Sequence, residues 1–193
     1  MQTYKFILLL AILTMSCKNE TKTAEVENNT PEIVKKETPS VANKTSNGTF
    51  LCKINGKDWS YTKASGIVLT HKKTGIVTAI VTFTKQLEKG KETLQLFYDG
   101  DTKQLEKVSV HLKQPTKDGS RMTAMYQLLV KGGKRHPESK ISGTIDLSHP
   151  TTASGNAEVS KIKMLFEANK LEDESMQIIS LSSIQFSGIG YSK

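Results

Sequence analysis

Apolar and polar residues alternate with period two through most of residues 48–193, the pattern of half-buried β-strands. The stretch TFLCKINGKDWSYT opens this region, and its Asn55-Gly56 pair between two alternating runs predicts a two-residue type I′ hairpin. With that turn Ile54 faces Lys57, Cys52 faces Trp59 and Phe50 faces Tyr61. Phe50, Cys52, Ile54, Trp59 and Tyr61 then share the inner face. Trp59, the sole tryptophan, is expected to anchor the core.

More strand candidates follow at short spacing: Ile67 to His71, Gly75 to Thr84, Thr93 to Tyr98 and Lys107 to Leu112. The run GIVTAIVTFT is the richest in β-branched residues and predicts a central strand. Arg121 to Lys131 places Met122, Ala124, Tyr126, Leu128 and Val130 on one face. Lys140 to Leu147 does the same for Ile141, Gly143, Ile145 and Leu147. Val159 to Ala168 and Met176 to Phe186 complete the set. Short helical turns are expected at Gln86 to Glu92 or Phe166 to Ser175, and no long stripe of period 3.6 occurs. These runs predict an all-β domain, an antiparallel β-sandwich or barrel-like fold of about nine or ten strands.

The N-terminus follows another rule. Phe6 to Met15 is a ten-residue apolar run behind Lys5, whereas a membrane-spanning helix takes about 18 residues or more. It reads as a signal peptide. Ser16-Cys17 after that run resembles a bacterial lipobox, with Thr14 where the pattern has leucine. The resemblance implies lipidation of Cys17 and attachment of the mature chain to a membrane. Lys18 follows the cysteine, where enterobacterial lipoproteins retained at the inner membrane have aspartate; that resemblance implies delivery to the outer membrane, on its periplasmic face or at the cell surface. Residues 18–47 are rich in Glu, Lys, Thr, Asn and Pro and hold no aromatic residue. Such a segment buries too little apolar surface to offset its ordering entropy. The expected layout is a signal peptide at 1–16, the lipidated cysteine and a disordered tether at 17–47, and one β domain at 48–193.

Charge narrows the partners. The chain carries a formal +8, from 27 basic and 19 acidic residues. Nearly all its cations are lysines, with only Arg121 and Arg135 as arginines. Nucleic-acid readers favour arginine and interleaved aromatic residues, so nucleic acid is not an expected partner. The expected partners are the membrane, through Cys17, and an envelope protein, a glycan or an anionic lipid. Cys52 is the cysteine left after lipidation, and it reads as a small buried hydrophobe.

Candidate chemistry is sparse. Ser60-Tyr61-Thr62-Lys63 fits S-x-x-K and Lys73-Thr74-Gly75 fits K-T-G, motifs of penicillin-binding serine enzymes. That chemistry needs a helix-opening nucleophile and a distant KTG strand, and here both lie within one β-rich run. Asp99-Gly100-Asp101, with Glu106 beyond, reads as a turn and not a calcium loop. His71, His111, His136 and His149 lack zinc-motif spacing. No P-loop, dinucleotide fingerprint or nucleophile elbow occurs, and neither cofactor nor metal is expected. The densest basic segment is Lys131, Gly132, Gly133, Lys134, Arg135 and His136. It reads first as a solvated hairpin loop; the alternative is that its glycines offer backbone N–H groups to an anionic ligand, which makes it the candidate contact.

FLCKINGKDWSY followed by ISGTIDL resembles uncharacterised Bacteroidota lipoproteins. Those join a lipobox and a polar linker to an F-x-x-x-I-N-G-x-x-W opening and a later I-S-G-T-F strand. The matching positions are Phe50, Ile54, Asn55, Gly56, Trp59, Ile141, Ser142, Gly143 and Thr144, with Ile145 in place of phenylalanine. The resemblance implies a β-rich envelope domain and carries no activity or catalytic residues with it. Two functions follow: a non-catalytic binding module displayed from the outer membrane, or an envelope enzyme or enzyme inhibitor whose site is scattered in sequence.

Overall fold

Each alternating run needs a partner strand for its backbone and a second layer for its apolar face. The computed structural model describes residues 48–131 and 136–193. The signal peptide, Cys17 and the tether lie outside the described residues. The described chain is all-β and forms thirteen strands: β1 (Thr49–Ile54), β2 (Lys57–Tyr61), β3 (Lys63–Thr70), β4 (Val77–Gln86), β5 (Lys91–Asp99), β6 (Leu105–Pro115), β7 (Arg121–Leu129), β8 (Lys140–Ser142), β9 (Ile145–Asp146), β10 (Thr152–Ser160), β11 (Ile162–Lys163), β12 (Ile178–Ile179) and β13 (Ile184–Ser192). Nine of these have five residues or more, and the other four are short pieces. Two 3-10 turns, Ala168–Lys170 and Glu174–Gln177, fall where a helical turn was expected.

The main sheet runs β7-β6-β5-β4-β3-β13-β10-β8, with β9 also on β10. All its junctions are antiparallel except β13 on β3, which is parallel through Tyr191 opposite Gly66 and Ser192 opposite Ile67. Gly66 permits this approach, because a Cβ there would lie 2.7 Å from the Cβ of Tyr191. The ends of the sheet return toward each other. Met164 bridges to Tyr126 at the β7 end, and Thr144 bridges to Gln104 just before β6. The Tyr126 hydroxyl also donates to the Met176 carbonyl at 2.6 Å. The sheet is therefore rolled, with interrupted rather than continuous closure.

The alternation sorts side chains as expected along the central strands. Ala79, Val81 and Phe83 of β4 point inward, as do Leu94, Leu96 and Tyr98 of β5. Val108, Val110 and Leu112 of β6 and Ala124, Tyr126 and Leu128 of β7 are buried with them. Tyr61, Phe83, Phe186 and Tyr98 form a chain of aromatic contacts, with ring centroids 5.1, 5.7 and 6.4 Å apart in that order.

The β1–β2 hairpin has the predicted turn: φ is +46° at Asn55 and +81° at Gly56. Ile54 opposes Lys57 and Cys52 opposes Trp59, as the turn dictates. Beyond Cys52 the register shifts. A bulge at Leu51 places Phe50 opposite Ser60, not Tyr61. One extra residue in a strand sends every following side chain to the other face. Leu51 is therefore buried and Phe50 is 54% exposed, which corrects its expected inner position. Asn55 also docks the hairpin on the chain before β13. Its amide donates to the Ile178 carbonyl at 3.1 Å, and its side-chain oxygen accepts from the Ser180 N–H at 2.8 Å.

Four other expectations change. The run Met176 to Phe186 divides into the end of a 3-10 turn, β12 and the start of β13, which continues to Ser192. The run Lys140 to Leu147 breaks at Gly143 (φ +150°) into β8 and β9. The strand expected from Val159 begins earlier, at Thr152, and ends at Ser160, before Lys161 with φ +54°. Its first half, TASGN, has low β-propensity and is held in place by pairing with β13. Gln86 to Glu92 is a hairpin connection between β4 and β5 rather than a helical turn.

Candidate functional site

The bulge that turns Phe50 outward also helps shape a groove. Hairpin and sheet meet where Ile54 bridges to Leu181 and the Ser182 N–H donates to the Lys53 carbonyl at 2.8 Å. Toward the start of β1, no further ladder joins it to β13. A groove of about 970 Å³ opens there. Thr49, Phe50, Leu51 and Tyr61 contribute from the hairpin side. Ser142 of β8, Asn156 and Glu158 of β10, and Gln185 and Ser187 of β13 contribute from the sheet. Pairing sets their spacing: Glu158 opposes Ser142, and Asn156 opposes Gln185. Asn156 is oriented by Thr144, whose N–H donates to its side-chain oxygen at 3.3 Å and whose hydroxyl accepts from its amide at 3.1 Å.

The electrostatics of this groove differ from those of the domain. Residues 48–193 hold 21 basic and 14 acidic side chains, yet among the described residues no lysine or arginine lines the groove, and Glu158 is its one charged residue. Aromatic rings, neutral amides and hydroxyls make up much of the rest. Such a surface can hold the apolar faces of a ligand against Phe50 while amides and hydroxyls exchange hydrogen bonds with its polar edges.

A second cleft, of about 740 Å³, lies at the β4–β5 hairpin and is lined by Lys85, Leu87, Glu88, Lys89, Glu92, Lys113 and Arg121. Its acid Glu92 is committed to the fold. One oxygen accepts from the Trp59 indole N–H at 3.0 Å and the other from the Lys113 N–H at 3.1 Å. Lys85 stands 3.9 Å from it.

The residues singled out in the sequence do not converge. Cys17, Gly132, Gly133, Lys134 and Arg135 lie outside the described residues. Of the candidate anion contacts this leaves Lys131, which is exposed, and His136, whose Nδ1 accepts from the Glu138 N–H at 3.2 Å. Ser60 and Lys63 belong to successive strands with no hydrogen bond between them. Burial lowers the pKa of His111 and so disfavours its charged form. The Ser109 hydroxyl is 3.5 Å from its Nε2, beyond the about 2.6–3.2 Å of an activated nucleophile. Asp99, Asp118, Asp146 and Asp173 are held below the usual carboxylate range by hydrogen bonds within their own turns. For Asp118 the Thr116 and Ser120 hydroxyls bring it to about 2. These carboxylates cap turns and carry no proton near neutral pH. Cys52 is fully buried, and burial pushes its thiol up to about 12. Among the described residues, no group of three His, Cys, Asp or Glu side chains is placed to hold a metal ion.

Sequence reasoning missed the groove because Phe50 was assigned to the core and Asn156 fell between the strand candidates that end at Leu147 and begin at Val159. The bulge leaves no residue signature of its own. Glu92, by contrast, shares the parity of Leu94, Leu96 and Tyr98, and that alternation marks it as inward-facing. Comparison with protein-family models, with curated proteins and with solved structures found no match.

Proposed function

We propose that the protein is a lipoprotein anchored in the outer membrane through Cys17, whose β domain is a non-catalytic binding module with its site in the groove beside Phe50. The observation that carries the binding site is an aromatic-walled groove, lined by no cation among the described residues, in a domain otherwise rich in lysine. This chemistry suits a neutral polar chain, and among envelope components an oligosaccharide fits it: ring C–H faces against Phe50, hydroxyls to Asn156, Gln185 and Glu158. The long polar segment at 18–47 supports the anchoring half of the reading, since it gives a tethered domain reach to search for such a ligand.

Each half has its own test. Cys17→Ala is expected to leave the protein unprocessed or to release it from the membrane fraction. A mutant that fractionates with the outer membrane as wild type does would refute the anchor. For the groove, the full chain is titrated with a panel of neutral oligosaccharides by calorimetry. Phe50→Ala is expected to weaken the best binder about tenfold or more, because aromatic groups at the centre of a contact carry a disproportionate share of its affinity. As Phe50 is 54% exposed, the thermal midpoint should barely move. Binding unchanged by both Phe50→Ala and Gln185→Ala, or no binding anywhere in the panel, would overturn the groove as a glycan site.

A further inference from the structure

The β3–β4 hairpin ends in an apolar tip that its fold leaves uncovered. Ile67, Leu69 and Ile76 are 38%, 46% and 55% exposed. Two facts of register put them together. Ile67 and Leu69 share the outer face of β3, and Ile67 opposes Ile80 on the outer face of β4. The connection is ordered by its own backbone: His71 N–H donates to the Ile76 carbonyl at 2.8 Å, and Gly75 N–H donates to the His71 carbonyl at 2.8 Å. Gly75 takes φ +70°, which closes this turn. The turn carries Lys72 and Lys73, both exposed. Neither forms an ion pair among the described residues. A shallow hollow of about 570 Å³ lies between the tip and the strands, lined by Leu69, Lys72, Lys73, Ile76 and Ile80 among others, with no carboxylate among the described residues.

We infer that this tip docks on an anionic bilayer surface, with Leu69 and Ile76 entering the boundary between headgroups and acyl chains and Lys72 and Lys73 meeting lipid phosphates. The charge complementarity selects the occupant. Exposed aliphatic side chains with adjacent unpaired lysines match a surface that is apolar below and negative above. The neighbouring acid, Asp99 opposite Thr78, is turned to its own loop, where it accepts from the Asp101 and Thr102 N–H groups. The hollow is open, with Leu69, Ile76 and Ile80 as its apolar wall and Thr70, His71 and Thr78 beside them, which suits a fluid lipid interface better than a shaped protein partner. The inference does not rest on the glycan reading, whose groove is formed by other strands. It adds a second membrane contact to whatever attachment Cys17 provides.

The test places an environment-sensitive nitrobenzoxadiazole label on Thr74→Cys in the full chain with Cys17→Ser, where buried Cys52 is the one other thiol. A second sample carries the label on Lys89→Cys, in the turn at the opposite end of β4. Flotation reports overall association with vesicles, so a failure of attachment is seen separately from a failure of the tip. With vesicles of phosphatidylcholine and phosphatidylglycerol, the label at residue 74 is expected to shift to the blue and to be quenched by brominated lipid. The label at residue 89 should stay unchanged. The response should be lost on phosphatidylcholine alone. Lys72→Gln with Lys73→Gln should raise the lipid concentration for half the shift about tenfold. No shift at residue 74, an equal shift on neutral vesicles, or an equal response at residue 89 would each overturn the inference. A shift produced by envelope protein and not by lipid would assign the tip to a protein partner instead.

Discussion

Trp59→Ala is expected to lower the stability of the domain by about 3–5 kcal/mol, the usual cost of emptying a large aromatic site in a packed interior. Trp59 is 4% exposed and sits among residues of the same core as Cys52 and Ile54. The loss has two parts. One is the cavity left by the indole. The other is Glu92, 8% exposed in the intact protein, whose oxygen would lose the indole N–H donor at 3.0 Å and keep only the Lys85 ammonium at 3.9 Å. A buried acceptor without a donor costs about 1–3 kcal/mol. Trp59→Phe separates the parts, since it keeps most of the ring and removes the N–H. It should cost about 1–2 kcal/mol if the hydrogen bond matters. Denaturant midpoints of the three proteins measure both steps, and the emission of the sole tryptophan gives an independent check. A midpoint for Trp59→Ala within about 0.5 kcal/mol of wild type, or red-shifted emission readily quenched by iodide, would place Trp59 at the surface.

The parts of this fold legible in the sequence are those governed by local rules. Asn55-Gly56 fixes a turn type, the turn type fixes a register, and the register places Cys52 against Trp59. The alternation of β4 to β7 is likewise local, because each strand there is buried on one face and exposed on the other. Distant partners decide the remainder. TASGN becomes a strand because Ala153 and Gly155 meet Ile189 and Phe186 of β13, residues more than thirty positions away. The bulge at Leu51 leaves the composition of the strand unchanged while reversing its first side chains. That reversal creates the aromatic wall of the groove, so the candidate site lay beyond the reach of a period-two reading that placed the surrounding core correctly.

Gly143 carries the second large prediction, and it concerns the seam of the rolled sheet. A Cβ built there would lie 2.3 Å from the Asn156 carbonyl oxygen and 2.9 Å from the Ala157 Cα. Both are backbone atoms of β10, which cannot swing aside as a side chain can. Three strand segments meet at this point. The Gly143 carbonyl accepts from the Leu105 N–H at 2.9 Å, and Ile145 N–H donates to the Lys103 carbonyl at 3.0 Å. Asn156 N–H donates to the Thr144 carbonyl at 2.9 Å. Any shift that relieves an added methyl group must strain one of these contacts. Overpacking in a closed site costs about 1–3 kcal/mol, and φ of +150° adds strain for any residue with a side chain. Gly143→Ala is therefore expected to lower stability by about 2–4 kcal/mol. Gly190→Ala is the matched control: that glycine lies in β13 with nothing within 4 Å of the added Cβ, and its effect should stay within about 0.5 kcal/mol. Because Asn156 is both the carbonyl the methyl group strikes and a lining residue of the groove, the proposed glycan site predicts that Gly143→Ala also weakens oligosaccharide binding in the surviving folded protein. Chemical denaturation of the two alanine variants side by side decides the point. Equal midpoints would show that the seam yields to a methyl group and that Gly143 is not what holds β8 and β9 against β10.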